Sequence, residues 1–213
     1  MLLAQTVPFL QVHHIYADLN SVSPARKQEI EKAVQSSGAA FVEAAVMSAV
    51  RPHEHRVPML LGGSAATMFA EKLRPFGMRL EVISDKVGPA AAVKMCRSIV
   101  MKGLEALLFE CVLGATRYDA DERVFTSLNE SLPGIDWKNL ANYMVGRVVV
   151  HGERRAREME EVAETLRALG IDPIMAEATV RRQDWGAHLL RSHFGEEGPA
   201  SYRQVAAVIA KLL

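Results

Sequence analysis

The sequence predicts an α/β segment followed by an all-α segment, and three observations support this. Short apolar runs of strand length alternate with helical patterns as far as residue 86. Beyond residue 86 the periodicity is helical almost throughout, and the breaks fall at Gly134, at Gly170 with Pro173, and at Gly198 with Pro199. A long helix over residues 88–117 joins the two parts. We therefore expect two domains, at residues 1–86 and 87–213.

In the first part, strands are expected at residues 14–19, 40–46, 58–63 and 78–84, and helices at 24–37 and 64–76. The helix at Pro24 has the best-defined start, because Ser23 can cap it and proline suits the first helical position. The opening residues Leu2 to Gln5 resemble the end of a helix. An α/β layer that starts in this way would have few strands, so we expect a preceding segment to be missing.

In the second part, helices are expected at residues 121–131, 136–150, 152–169, 173–193 and 199–212. Residues Arg147 to Val150 also allow a strand, because they combine β-branched side chains in an apolar run. Without that strand, the second part is entirely helical.

Composition excludes several function classes. The chain has 213 residues, 49% of them apolar and 23% charged, which is ordinary for a globular protein. Lys and Arg together equal Asp and Glu at 25 each, so we expect no nucleic-acid partner. No apolar run reaches the roughly 20 residues of a membrane helix, and the first residues lack the features of a signal peptide. Cys96 and Cys111 lie too far apart on one helix to form a disulfide, which favours the cytoplasm.

The helix over residues 88–117 is apolar nearly all round, apart from one polar seam. Lys94, Ser98, Lys102 and Glu105 fall within about a quarter-turn arc of this helix. A buried ammonium group must be paired, neutral or directed into a cleft, so Lys94 is a candidate functional residue. The alternative is a half-exposed lysine whose amine reaches water. For Lys102, a salt bridge to Glu105 or to another helix is at least as good an explanation.

Four segments carry a resemblance to a known family. They are Tyr16 to Pro24, Gly38 to Val46, Pro58 to Gly63, and Gly88 followed by Lys94 six positions later. In this order and spacing they resemble landmarks of the β-hydroxyacid dehydrogenase superfamily, which includes 3-hydroxyisobutyrate and 6-phosphogluconate dehydrogenases. The long helix in particular resembles that of the poorly characterised phosphogluconate-dehydrogenase-like NAD-binding subgroup. The likeness covers nearly the whole chain.

The resemblance implies the last part of a Rossmann-type domain followed by a helical domain. It also implies an NAD- or NADP-dependent oxidoreductase that acts on a small hydroxyacid. Family members begin with a Gly-rich GxGxxG turn that holds the dinucleotide pyrophosphate. The run Leu61 to Ser64 has the wrong spacing for that turn. We therefore expect an incomplete chain that does not bind the dinucleotide tightly by itself.

The same resemblance assigns catalytic and substrate-binding roles on the long helix. Lys94 matches the lysine of the family's GxGxxxKxxxN segment, which acts as the acid/base for the substrate hydroxyl, and Gly88 matches its first glycine near the cofactor. Ala90 replaces the second glycine, and Ser98 replaces the substrate-binding asparagine. Serine offers one donor where the amide offers two, so we expect a substrate that differs from the better-known ones.

Further site residues follow the first two strands. Asn20 and Ser21 match the family's position near the nicotinamide ribose and the reacting carbon, and Asn20 is also expected to orient the substrate. Their other explanation is the turn that precedes a helix. Ser48 is a candidate for the serine that grips the substrate carboxylate, although its register is shifted by one residue, which would turn its side chain to the other face of a strand.

Two charged runs offer weaker candidates. Arg157 falls where relatives carry a lysine that reaches the active site, so it could bind a substrate carboxylate or phosphate. The alternative is a solvated helix face with ion pairs, and roles for His151 and Arg155 stay open. The motif of His53 and His55 has no third metal ligand nearby, so we expect no metal.

Two functional hypotheses remain at this level. The first is the oxidoreductase, with a homodimer built through the helical domain. The second is a non-catalytic helical dimerisation or ligand-binding module derived from such an enzyme.

Overall fold

The computed structural model describes residues 5–195 and 197–212. The chain divides into two compact units. The first comprises Met1–Arg97 together with Glu164–Gly170, and the second comprises Ser98–Ala163 and Ile171–Leu213. The boundary therefore falls inside the long helix rather than before it at residue 86. The expected helix end at Leu2 to Gln5 lies almost wholly outside the described residues.

The first unit contains a four-stranded mixed sheet. Its strands are β1 (Ile15–Asp18), β2 (Ala40–Val46), β3 (Met59–Gly62) and β4 (Leu80–Val82), and they lie side by side in that order. β1 pairs with β2 in parallel, β2 with β3 antiparallel, and β3 with β4 in parallel. All four expected strands are confirmed, each within a few residues of its predicted ends.

Two helices cover the sheet, α1 (Pro24–Gln35) and α2 (Ala66–Leu73). The start of α1 is as expected, because the Ser23 side chain accepts a hydrogen bond from the backbone N–H of Arg26. A 3-10 turn follows α2 and ends at Gly77, whose φ of 81° lies in the left-handed region. The predicted helix over residues 64–76 is therefore an α-helix that tightens in its last turn.

Buried side chains lie on both faces of the sheet. Phe41 packs with Ile30 and Val34 of α1 on one face, whereas Val42 and Ala44 belong to the cluster that includes α2 on the other. Because side chains alternate along a strand, Glu43 lies on the same face as Phe41. β2 is thus covered on both sides.

The long helix α3 (Pro89–Thr116) was expected and is present. It contributes residues to both units. In the second unit it is followed by four helices, α4 (Asp121–Ser131), α5 (Trp137–Ala168), α6 (Ile174–Phe194) and α7 (Tyr202–Leu212).

The prediction of two helices at residues 136–150 and 152–169, with a possible strand at Arg147 to Val150, is wrong. A single helix, α5, runs through this region. Gly152 does not end the helix. Instead it allows close packing against α6, because a Cβ atom there would lie 2.6 Å from the carbonyl oxygen of Gln183.

The core of the second unit is large and apolar. Its buried members come from every helix of the unit and are Leu108, Phe109, Val112, Phe125, Trp137, Ala141, Met144, Val145, Val148, Val149, Leu190, Tyr202, Val205 and Ile209. The Phe125 and Tyr202 rings meet edge to face with centroids 5.5 Å apart. Among the described residues, no helix combines the length and the apolar character that crossing a bilayer requires. Cys96 and Cys111 are both free thiols, as their spacing predicted.

Candidate active site

The polar residues after β1 and β2 lie at one edge of the sheet. Asn20 and Ser21 follow β1, and Ser48 follows β2. Since the two strands run in parallel, their carboxyl ends meet at the same edge. The fold therefore places three of the predicted site residues at a common edge.

Lys94 reaches this edge from the long helix. Its Nζ donates a hydrogen bond to Ser21 Oγ at 2.5 Å, across 73 residues of sequence. The Lys94 residue as a whole is half-buried. A residue predicted to act as acid/base is thus in direct contact with one predicted to lie beside the cofactor.

Asn20 is held in place by a buried carboxylate. Its side-chain Nδ2 donates to Asp18 Oδ1 at 2.5 Å, and its backbone N–H donates to the same oxygen at 3.3 Å. The other oxygen of Asp18 accepts from Lys27 Nζ at 2.7 Å, and both ionic side chains are at most 2% exposed. Because the amide NH₂ is directed at Asp18, the amide oxygen of Asn20 is left as an acceptor.

Asp18 and Lys27 were not identified from the sequence. A signal was available for Lys27, which lies three and seven residues before Ile30 and Val34 on the buried face of α1. A lysine on an apolar stripe requires a buried acceptor. The sequence does not show that Asp18 supplies it, because the partner lies in a different element.

Gly88 donates its backbone N–H to a side chain of the protein. Its acceptor is Glu43 Oε2 at 2.5 Å, and the other oxygen of Glu43 accepts from the Ala91 N–H in a very short hydrogen bond. The Glu43 side chain is fully buried. The first amides of α3 therefore bind an internal carboxylate. Glu43 was also missed in the sequence, where it stands as an isolated charge inside an apolar strand.

Ser98 follows Lys94 by one helical turn and is bonded to another lysine of the same helix. Lys102 Nζ donates to Ser98 Oγ at 2.9 Å and forms a salt bridge with Glu158 at 3.0 Å. Burial lowers the pKa of Lys102, against the opposing effect of Glu158. Burial raises the pKa of Glu158, but Lys102 and neighbouring arginines outweigh it, so that this pKa lies below its usual value. The alternative for Lys102, a salt bridge to another helix, is what the structure shows.

A buried ionic cluster surrounds the last residue of the polar seam. Glu105 accepts hydrogen bonds from Arg147 Nε at 3.2 Å, Arg155 Nε at 2.5 Å and Gln183 Nε2 at 2.9 Å. A further very short contact comes from Arg155 Nη2. Arg155 is thus bound to a carboxylate of its own unit. Burial, together with the nearby arginines, lowers the pKa of His151.

The remaining sequence candidates lie at the surface. Arg157 is exposed and forms ion pairs with Glu160 and Asp184. Ser48 is exposed, and its hydroxyl donates to the carbonyl oxygen of Ala49 at 3.2 Å. Across the described residues, no group of three or more His, Cys, Asp or Glu side chains is arranged to hold a metal ion.

Comparison with known proteins indicates the family. Residues 115–186 match a family described as a domain of unknown function, DUF1932. A conserved hypothetical protein from Sinorhizobium meliloti is 35% identical with a TM-score of 0.84, over 100% of this chain and 71% of that one. The conserved protein MTH1747, whose structure is described as similar to 3-hydroxyacid dehydrogenases, is 30% identical with a TM-score of 0.73, over 90% of this chain and 67% of that one. The chain belongs to the β-hydroxyacid dehydrogenase superfamily.

Membership confirms the resemblance seen in the sequence motifs. A curated relative, an uncharacterized 28.5 kDa protein from Methanothermus fervidus, is 30% identical over 171 residues. The match covers 79% of this chain and 64% of that relative, so the chain spans less than two thirds of the relative's length. Psf3, solved in complex with NADP⁺ and 2-OPP, is 16% identical with a TM-score of 0.63, over 95% of this chain and 72% of that one. That likeness shows the shared fold alone.

Proposed function

We propose that this chain supplies the acid/base and substrate-orienting residues of an NAD- or NADP-dependent oxidoreductase that acts on a small hydroxyacid. The observation that carries the proposal is the contact between Lys94 Nζ and Ser21 Oγ. It brings the amine of a half-buried lysine to the sheet edge where Asn20 presents a fixed amide oxygen. Superfamily membership supports the reaction class.

Oxidation of a hydroxyacid requires a base for the hydroxyl proton. The C–H bond breaks as the hydride leaves, the C=O double bond forms, and the O–H proton must pass to a protein group. Lys94 in its neutral form would take this proton, and its ammonium form would return it in the reverse direction. Ser21 holds the amine in position, and Ser98, one turn further along α3, would donate to a substrate oxygen.

The residues present suit only part of a nicotinamide dinucleotide, which would supply the hydride acceptor when bound. Asn20 and Ser21 offer the polar groups that a ribose requires. The amides at the start of α3 do not suit the pyrophosphate, because the N–H groups of Gly88 and Ala91 already donate to the Glu43 carboxylate. The space beside Gly62 is also taken by the protein's own backbone, since a Cβ at Gly62 would lie 2.8 Å from the carbonyl oxygen of Lys86. This turn is therefore not a place for the pyrophosphate.

Titration with NADH and NADPH tests the cofactor part of the proposal. We expect weak binding by the 213-residue chain, and Asn20→Ala should weaken it further, whereas Arg157→Ala at the exposed ion pairs should not. Submicromolar binding that is insensitive to Asn20→Ala would contradict the assignment.

Turnover tests the role of Lys94. Reduction of NAD⁺ or NADP⁺ would be followed with a panel of small 2- and 3-hydroxyacids, in the longest natural form of the protein. Lys94→Ala should lower kcat by about 10²- to 10⁴-fold with cofactor affinity little changed. Lys72→Ala, on the exposed side of α2, is the matched control. Near-normal turnover of Lys94→Ala would rule out its role as acid/base.

One observation favours association between copies, whether or not the chain is catalytic. Val100 and Leu107 of α3 lie seven residues apart and are 67% and 55% exposed. Apolar side chains at this spacing are typical of a helix that packs against another helix. We propose a homodimer through the helical domain. Sedimentation of Val100→Glu should show a shift to monomer, and an unchanged sedimentation coefficient would contradict it.

The non-catalytic module remains the second candidate function, because the start of α3 binds an internal carboxylate rather than offering amides to a phosphate. A folded dimer without turnover on any hydroxyacid would support it.

The free thiols of Cys96 and Cys111 support the proposal of a reducing cytoplasm as the location.

A further inference from the structure

Glu43 is a buried carboxylate in the middle of the central strand β2. Its side chain is 0% exposed, and its neighbours on the same face, Phe41 and Ala45, are also buried. Transfer of an ionised carboxylate into such surroundings is very unfavourable unless strong hydrogen bonds compensate. The hydrogen-bond partners of Glu43 must therefore offset the cost of burying its carboxylate.

The partners of Glu43 are backbone amides from a distant part of the chain. In the part of the chain that the structure describes, its oxygens accept from the N–H groups of Gly88 and Ala91, which are 45 and 48 residues away. The first amides of a helix have no partners within the helix, and they carry the positive end of its dipole. Glu43 therefore acts as an N-terminal cap for α3, supplied by a strand rather than by the adjacent loop.

Two glycines make room for this cap. A Cβ atom at Gly62 would lie 2.9 Å from Glu43 Oε2, so any larger residue on β3 would collide with the carboxylate. Gly88 has a φ of 122°, a conformation that L-residues rarely adopt, and it directs its N–H at Glu43. The arrangement is thus specified by three separate segments of the first unit.

The cap lies one turn from Lys94. Ala91 precedes Lys94 by three residues on α3, so the carboxylate fixes the start and the rotation of the helical turn that carries the amine. The negative charge of Glu43 also affects the electrostatic surroundings of Lys94. An unneutralised helix N-terminus disfavours a nearby cation, and a carboxylate at that place reverses the effect. The charged groups on the elements packed here include Asp18 of β1 and five residues of α1, namely Arg26, Lys27, Glu29, Glu31 and Lys32. Burial and Glu43 together raise the pKa of Glu31.

We propose that Glu43 is a positioning residue for Lys94. It anchors the first turn of α3 and stabilises the protonated amine, and so sets the pH at which Lys94 can accept a proton. The inference deepens the proposed function and rests on the acid/base role of Lys94 given there.

Competitive acylation measures this effect without any substrate. Folded protein would be treated with trace acetic anhydride across a range of pH, and the acetylation of Lys94 compared with that of exposed Lys72 by mass spectrometry. In Glu43→Gln, which keeps the shape and removes the charge, Lys94 should react about 3- to 10-fold faster near neutral pH. This follows because removal of the nearby negative charge leaves a larger fraction of the amine neutral and therefore nucleophilic. Glu81→Gln, on the exposed side of β4, should leave the ratio unchanged.

A Lys94 reactivity in folded Glu43→Gln equal to that of the wild type would overturn the proposal. If Glu43→Gln does not fold, Glu43→Asp keeps the charge near the start of α3, so Lys94 should react within about twofold of the wild type, and an increase of about threefold or more would overturn the proposal. The experiment is independent of turnover. A changed reactivity together with normal turnover of Lys94→Ala would defeat the acid/base role, whereas an unchanged reactivity together with lowered turnover of Lys94→Ala would defeat only the role of Glu43.

Discussion

Removal of the Glu105 carboxylate should destabilise the helical unit severely. The Glu105 side chain is 1% exposed, and it neutralises Arg155, which is 8% exposed. Loss of one partner of a buried ion pair costs about 3–5 kcal/mol, because the other charge is left without compensation in a poorly solvated place. The lost hydrogen bond to buried Gln183 adds to this effect. We therefore expect Glu105→Ala to lower the free energy of unfolding by at least about 3 kcal/mol.

Tryptophan fluorescence reports the unfolding of the second unit, which contains Glu105. The only two tryptophans of the chain, Trp137 and Trp185, both belong to the second unit. Urea titration followed by this signal gives the unfolding free energy by linear extrapolation. The matched control is Glu110→Ala, since Glu110 is 58% exposed in its ion pair with Arg182. Exposed pairs of this kind contribute about 1 kcal/mol or less.

A double variant separates charge from packing. Glu105→Leu combined with Arg155→Leu removes both charges and fills the space with apolar atoms, so it should recover most of the stability that Glu105→Ala loses. If Glu105→Ala and Glu110→Ala were equally destabilising, the cluster would not depend on burial and our reasoning would be refuted.

Three further predictions concern packing, pH and the strand-side ion pair. Gly152→Ala should destabilise by about 1–3 kcal/mol despite the better helix propensity of alanine, because of the close approach of α6. Gly114→Ala, which has nothing within 4 Å, should instead stabilise by about 0.5–1 kcal/mol, and urea midpoints of the two would test the contrast. The pKa of Glu158 is lower in the folded chain than in the unfolded chain. The unfolded chain therefore binds more protons below about pH 5, and stability decreases as the pH falls through that range. Glu158→Gln should flatten this decrease in urea midpoints measured against pH. Lys27→Met leaves Asp18 buried without its cation and should cost about 3–5 kcal/mol, as followed by far-ultraviolet circular dichroism; a loss below about 1 kcal/mol would show that the pair is dispensable.

Much of the fold followed from local patterns. The four strands and the long helix α3 are specified by apolar periodicity and by turn residues, which depend only on near neighbours in sequence. α5 was predicted as two helices, because a glycine in a helical pattern indicates either a break or a close contact. Only the packing of Gly152 against α6 decides between them, and a pattern within one helix does not report that contact.

The candidate site was predictable only in part, because contacts between distant segments cannot be read from a local pattern. The resemblance indicated Lys94 and Ser21, and the structure brings them into contact. The residues that hold the site were missed, because their partners are distant in sequence. Glu43 reaches an amide 45 residues away, and a single charged residue in a strand carries no information about which segment will face it.

The polar seam of α3 constrains how this chain can change in length. Ser98 and Lys102 are bonded across one turn, and Lys102 and Glu105 each bind a residue of α5. One inserted residue within the seam would rotate everything after it by about 100° and advance it by about 1.5 Å. No single point mutation could restore all of these contacts at once. Related sequences should therefore tolerate substitutions along α3 but show neither insertions nor deletions between Ser98 and Glu105.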